Sequence, residues 1–232
     1  MGSILDFLFP PRCIFCRGLL KKGEADICAA CAVGLPETEG AGAVQTGEFF
    51  EYCMAPFYYT GPVRSAIHRF KFRGKAGYGA YLAGRMAKCV RENCREELAL
   101  VTWVPISKKR LRRRGYNQSQ ILAEELSRLL CLPAEATLEK IGDNPPQSSL
   151  QGAGRRRANV LNMYRRLPGQ DISGKRILLV DDVVTTGATL SECARELLMA
   201  GAEAVFCCTV ARSGKSGFIA EDFVNTKRDM NF

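Results

Sequence analysis

Four cysteines stand in two pairs, Cys13-x-x-Cys16 and Cys28-x-x-Cys31, with eleven residues between the pairs. A Cys-x-x-Cys turn aims both thiolates to one side of a tight knuckle. Two such knuckles brought together offer four sulfurs at the corners of a tetrahedron, the arrangement that structural Zn²⁺ takes. Four thiolates leave no open coordination position, so such a metal holds structure and performs no chemistry of its own. Zinc is favoured; an iron–sulfur cluster meets the same ligand count, and two unrelated redox-active pairs meet the same spacing. The intervening segment, Arg17 to Ile27, contains Gly18 and Gly23 and is long enough for one short hairpin. A segment of about 40 residues buries little core of its own, and a metal staple supplies what is missing. The other seven cysteines, Cys53, Cys89, Cys94, Cys131, Cys193, Cys207 and Cys208, are scattered among apolar neighbours and read as small core residues. Their odd overall total argues against a disulfide framework.

A second group lies far along the chain, in Ile177-Leu178-Leu179-Val180-Asp181-Asp182-Val183-Val184-Thr185-Thr186-Gly187-Ala188-Thr189. The loop of Thr, Thr, Gly, Ala and Thr offers hydroxyl donors and free backbone N–H groups at the positive end of a helix. Those are the requirements for holding a phosphate monoester. Asp181 and Asp182, side by side on a turn, could accept hydrogen bonds from two vicinal ribose hydroxyls. A phosphate pocket beside a diol pocket describes a sugar phosphate. The bland alternative, an acidic N-cap favoured by the helix dipole, leaves both the acid doublet and Thr-Thr-Gly unexplained. The stretch lacks the Gly-Lys-Ser/Thr of a Walker A loop. It resembles instead the thirteen-residue signature with which type I phosphoribosyltransferases bind phosphoribosyl pyrophosphate (PRPP). That resemblance implies that Asp181 and Asp182 contact the ribose 2- and 3-hydroxyls. It likewise implies that the 5-phosphate sits on Thr185, Thr186, Gly187, Ala188 and Thr189.

The elements that must position these residues follow from apolar periodicity. Ile177 to Val180 reads as a strand buried on both faces, the kind found in a parallel sheet. Leu190, Cys193, Ala194, Leu197 and Leu198 fall at helical spacing, Gly201 is a plausible stop, and Glu203 to Val210 is another apolar strand. This is a βαβ unit, so an α/β sheet with a right-handed crossover is expected, with ligands at the carboxyl ends of its strands.

Val101 to Pro105 is a further short buried strand, leading into a basic loop with six cations between Lys108 and Arg114. Asn117 can cap the next helix, with Gln120 at N3 in a capping-box arrangement. The cationic loop could hold the pyrophosphate of a ligand whose ribose sits over Asp181; nucleic acid or a plain solvated face are the other readings. Arg64 to Lys75 alternates aromatics with cations, which suits a half-buried strand or a stacking, phosphate-tracking surface. It includes His68, the chain's single histidine and a lone candidate acid or base. Gln147 to Asn159, with Arg155, Arg156 and Arg157, is Gly-rich and reads as a long mobile loop of the sort that forms lids.

The chain has 232 residues, 47% hydrophobic and 25% charged, with a formal net charge of +9. That mix excludes a wholly disordered chain, a collagen and a coiled-coil rod. No apolar run approaches the roughly 20 residues of a membrane-spanning helix. The N-terminus is a poor signal peptide, and a cytoplasmic location without membrane partners is expected. Residues 1–50 carry four Lys and Arg against six Asp and Glu, and the rest carries 29 against 18, or +11. Any anionic partner is therefore met by the second part of the chain. Ala32 to Glu48 is rich in Gly, Ala and Glu and reads as a linker. The expected organisation is a Cys₄ module and linker over 1–46, a main domain over 47–212 and a polar tail over 213–232.

Several pieces occur together in one order: the Cys₄ module, Tyr59 to Arg64, Phe70-Lys71-Phe72-Arg73-Gly74, Arg114-Gly115-Tyr116-Asn117-Gln118, Gln147 with Arg155 to Asn159, and Val180-Asp181-Asp182 with Thr185-Thr186-Gly187. In that order the chain, from about residue 4 to residue 212, resembles the ComF family, bacterial phosphoribosyltransferase-like proteins linked with competence for DNA uptake. The resemblance implies an α/β fold with a type I phosphoribosyltransferase-like, mostly parallel sheet and flanking helices, preceded by a small N-terminal Cys₄ zinc module. One function it implies is phosphoribosyl transfer from PRPP with Mg²⁺ to an acceptor that is not readable. Lys108, Lys109 and Arg113 or Arg114 would then lie at the pyrophosphate, with Arg155, Arg156 and Arg157 closing over it. The alternative is a non-catalytic adaptor that keeps the PRPP fold and binds single-stranded DNA or a competence helicase.

Overall fold

The computed structural model describes residues 10–72, 77–142 and 162–214. The expected lid loop with Arg155, Arg156 and Arg157, the segment Arg73 to Lys75 and the tail beyond Gly214 lie outside the described residues. In chain order the described elements are α1 (Ala29–Gly34), a 3-10 turn (Gly40–Ala43), β1 (Val44–Gln45), β2 (Cys53–Met54), β3 (Phe57–Tyr58), α2 (Gly61–Phe72) and α3 (Tyr78–Asn93). They continue with β4 (Leu100–Trp103), α4 (Lys108–Arg114), α5 (Gln118–Leu130), β5 (Leu138–Lys140), β6 (Tyr164–Arg166), β7 (Arg176–Val184), α6 (Ala188–Met199) and β8 (Ala204–Arg212).

The main sheet runs β1-β2-β8-β7-β4, with β3 pairing β8 beyond the end of β2. Its pairs are parallel except for β1 against β2. β7 and β8 sit at its centre because both are continuous apolar runs with no polar face to offer water. Alternate residues supply two cores. Leu178, Val180, Phe206, Cys208 and Val210 join Val63, Ile67, Phe70, Leu82, Met86, Leu122 and Leu126 of α2, α3 and α5 on one face. Ile177, Leu179, Val205 and Cys207 join Leu190, Cys193, Ala194 and Leu197 of α6 on the other. β5 and β6 form a separate two-stranded antiparallel sheet, anchored to the α6 face through Leu138 and Tyr164. The expected βαβ unit is thus β7-α6-β8.

Three local expectations are corrected. Arg64 to Phe72 belongs to helix α2 and not to a strand, because Val63, Ala66, Ile67 and Phe70 are fully buried at three-and-four spacing. The basic run is a helix, α4, not a loop. Ser107 caps it by accepting from Arg110 N at 3.3 Å, and Gly115, at φ 82, closes it by donating to Leu111 O at 2.8 Å. Ala32 to Glu48 is no plain linker: it completes α1, turns at Gly40–Ala43 and adds edge strand β1. Buried Arg212 holds that edge, donating from Nη1 to Gly42 O at 2.8 Å and Val44 O at 3.0 Å.

Of the seven unpatterned cysteines, Cys53, Cys89, Cys193, Cys207 and Cys208 are core residues. Cys94 is half-buried, while Cys131 is exposed because it is the left-handed cap of α5, past the last apolar turn. No helix among the described residues is long and apolar enough to cross a membrane.

Candidate functional site

The sulfurs of Cys13, Cys16, Cys28 and Cys31 lie within 4.8 Å of one another, with Cys16 and Cys28 Sγ 3.6 Å apart. A tetrahedral site with Zn–S near 2.3 Å has sulfurs spaced by about 3.8 Å, so this set fits zinc. The knuckle is shaped by Cys13 N donating to Gly18 O at 2.9 Å and by Arg17 entering the left-handed region at φ 69. Burial would raise the Cys13 thiol, yet the backbone N–H groups of Cys16, Cys28 and Phe15 bring it down to about 6. Cys31 moves the other way, raised by burial and then by the three neighbouring sulfurs. Four sulfurs this close favour a cation among them.

The knuckle is packed against the main core. Phe15 is buried edge-on to Phe57 and Tyr81, with ring centroids 5.9 Å away in each case. Arg69 of α2 donates to Ile14 O and Phe15 O at 2.6 and 2.7 Å. Arg17 reaches the Tyr78 hydroxyl at 3.1 Å.

At the carboxyl end of the sheet, β7 stays paired with β8 through Val184. Asp181 and Asp182 are therefore strand residues, not residues of a turn. The longer pairing reflects β8, which continues alongside to Arg212. Asp182 is buried and pairs with Lys71 of α2, Nζ to Oδ1, at 2.7 Å. Oδ1 of Asp181 accepts from the Ser119 hydroxyl and from Asp182 N, both at 2.8 Å. Burial first, then the like charge of Asp182, pushes the Asp181 carboxyl up to about 7, against the opposing pull of Lys71 and Ser119.

Thr185 and Thr186 follow, both exposed, and then buried Gly187. Gly187 is the N-cap of α6 at φ 75 and makes no side-chain cap. The first amides of a twelve-residue helix thus open onto the turn carrying both threonines. Ala188 and Thr189, half-buried, form the start of that helix. Ala188 N stands 3.5 Å from Thr186 Oγ1, at the limit of a hydrogen bond. The structure so brings together the five loop residues and the acid pair.

The basic helix is divided. Arg114 is half-buried and donates to Gln118 Oε1 at 2.7 Å. Burial draws its pKa down while Asp182 pulls it the other way, so its charge is felt at the acid pair. Lys108, Lys109, Arg112 and Arg113 are exposed. Asn117 caps α5 as expected, accepting from Ser119 N at 3.0 Å, and also donates to Val104 O at 3.1 Å, tying the helix to the end of β4. Gln120 does not complete a capping box; it donates to Glu124 Oε1 at 2.9 Å. His68 is exposed on α2.

Sequence reasoning missed two residues at the acid pair. Lys71 stood inside the aromatic and basic segment, where a helical period would have aimed it inward. Ser119 carried no signal beyond its place two residues after a good N-cap.

Residues 113–227 match the phosphoribosyl transferase domain family and residues 4–52 the double zinc ribbon domain family. The chain is 28% identical over 223 residues to competence protein F of Haemophilus influenzae, covering 87% of this chain and 97% of that protein. It is 30% identical over 219 residues to DNA utilization protein YhgH of Escherichia coli K12, covering 84% and 94%. Competence protein ComFC of Bacillus subtilis is 29% identical over 220 residues, covering 89% and 88%. Adenine phosphoribosyltransferase of Thermoanaerobacter pseudethanolicus superposes with a TM-score of 0.38 at 14% identity, over 60% of this chain and 82% of that one, a likeness too slight to build on.

Proposed function

Since the chain belongs to the ComF family and joins a zinc ribbon to a phosphoribosyltransferase-like domain, we propose that its pocket binds PRPP with Mg²⁺ and transfers the phosphoribosyl group. The observation that carries this reading is the sequence of parts at the end of β7: two carboxylates, two exposed threonines, and a helix whose N-cap, Gly187, has no side chain to occupy its first amides. The carboxylates accept from the ribose hydroxyls, and the loop amides and hydroxyls take the 5-phosphate. Departure of pyrophosphate leaves an oxocarbenium-like sugar, so catalysis needs position and charge neutralisation more than a protein nucleophile. Arg114, whose charge is felt at Asp182, would serve that end, with Lys108, Lys109 and Arg113 on the same helix. Mg²⁺, a hard and poorly dehydrated ion, would be held mainly by ligand oxygens and water and would neutralise the pyrophosphate.

Calorimetric titration with PRPP and Mg²⁺ tests the reading. Saturable binding that is lost when Asp181→Asn and Asp182→Asn are combined supports it; equal affinity in that variant sinks it. A second reading draws on the four exposed cations of α4 and on relatives named for competence and DNA utilization. It makes the protein an adaptor for single-stranded DNA or a competence helicase. Silence towards PRPP together with salt-sensitive oligonucleotide binding would favour it.

A further inference from the structure

The two carboxylates share a pattern that the signature itself does not explain. Oδ1 of Asp182 is engaged by Lys71 at 2.7 Å, and Oδ1 of Asp181 by Ser119 and Asp182 N at 2.8 Å each. Among the described residues each carboxylate therefore has Oδ1 tied to the protein and Oδ2 left over. The side chains doing the tying come from α2 and α5, outside the β7-α6 unit.

Lys71 is held more firmly than a solvated lysine. Its side chain is 22% exposed and that of Asp182 11%. The turn of α2 that carries it is fixed on three sides. Arg69 is bonded to Ile14 O and Phe15 O of the cysteine knuckle, the Tyr116 hydroxyl donates to Phe70 O, and the Phe70 ring is fully buried. Ordering and desolvating a lysine is costly, and a hydrophobic residue would stabilise the same place at least as well. A cation kept there serves the carboxylate it meets.

We propose that Lys71 is a positioning residue of the acid pair: it occupies Oδ1 of Asp182 and so leaves Oδ2 aimed as the acceptor for a sugar hydroxyl. Ser119 does the same for Asp181. The inference rests on the sugar-phosphate reading above and adds to it a residue outside the signature. In this role Lys71 acts on the diol end of the ligand through Asp182, and the phosphate end belongs to the Thr185–Thr189 loop.

The test uses the zinc-loaded full chain and two probes, ribose 5-phosphate, which has the diol, and inorganic phosphate, which does not. Lys71→Met, Lys71→Arg and Ser119→Ala are compared with the unaltered chain by calorimetry, and near-ultraviolet circular dichroism confirms folding. The expected result for Lys71→Met is a loss of ribose 5-phosphate affinity of about tenfold, the size of one lost charge-assisted hydrogen bond. Phosphate affinity stays unchanged, and Lys71→Arg recovers most of the loss. Equal weakening for both probes would make Lys71 a phosphate-binding cation and overturn the proposal. So would undiminished ribose 5-phosphate binding in Lys71→Met. If the unaltered chain binds neither probe, the sugar-phosphate reading falls and the inference with it. If Lys71→Met does not fold, Ser119→Ala decides by the same contrast between probes.

Discussion

Arg69 donates from Nη2 to the carbonyl oxygen of Phe15 at 2.7 Å, which joins the zinc knuckle to the helix that ends beside the acid pair. The same nitrogen also meets Ile14 O at 2.6 Å, so one guanidinium satisfies two carbonyls of the turn between Cys13 and Cys16. The knuckle and the main core share one continuous set of buried side chains. Their stabilities are therefore coupled.

Removing zinc with a strong chelator should lower the melting temperature of the whole chain in one transition. Phe15→Ala, which empties a site between Phe57 and Tyr81, should cost about 3–5 kcal/mol. Thermal unfolding with metal content measured in parallel checks both. Separate transitions for the knuckle and the sheet would show that the packing does not couple them.

The Asp181 carboxyl, pushed up to about 7, sets opposite pH trends for stability and binding. Its folded pKa lies above the unfolded value near 4, so the folded state binds the extra proton between about pH 4 and 7. Stability should fall as pH rises through that window, by at most about 4 kcal/mol, and Asp181→Asn should flatten the fall. PRPP affinity should instead rise from pH 6 to 8, because the ionised carboxylate is the better acceptor. Melting curves and titrations at matched pH values check the two signs.

Much of the site was legible because it is local in the chain. The four cysteines lie within nineteen positions, Cys13 to Cys31, and the acid pair, loop and helix start within nine, Asp181 to Thr189. Spacing alone can report such groups. Lys71 and Ser119 come from α2 and α5 and reach the carboxylates only through packing over the sheet. Phe70-Lys71-Phe72-Arg73 alternates like a strand, and that short run masked the longer helical period Val63, Ala66, Ile67, Phe70. The basic run offered too few apolar residues to show a helix; Ser107 and Gly115, its caps, were the better signal.

Gly187 holds φ at 75, and a Cβ there would stand 3.5 Å from the Phe50 ring, an ordinary contact. Backbone conformation, not space, demands glycine. Gly187→Ala should cost about 1 kcal/mol, and Gly187→Val more, because a branched side chain tolerates the left-handed region worst. PRPP affinity should weaken alongside, since the first amides of α6 are aimed by this residue. Denaturant unfolding and calorimetry on the same preparations check the pair of effects.

The exposed face of α4 separates the enzyme and adaptor readings through Arg112, which has no place in the proposed pocket. If that face tracks a nucleic-acid backbone, each phosphate contact contributes about 0.7 to the slope of log affinity against log salt for a single strand. Arg112→Ala should then lower the slope by about that amount, weaken oligonucleotides of different sequence alike, and leave PRPP affinity unchanged. Filter binding at four salt concentrations gives the slope. An unchanged slope would mean that α4 meets no nucleic acid through Arg112, and its charges would then serve the pyrophosphate end of the pocket or solvent alone.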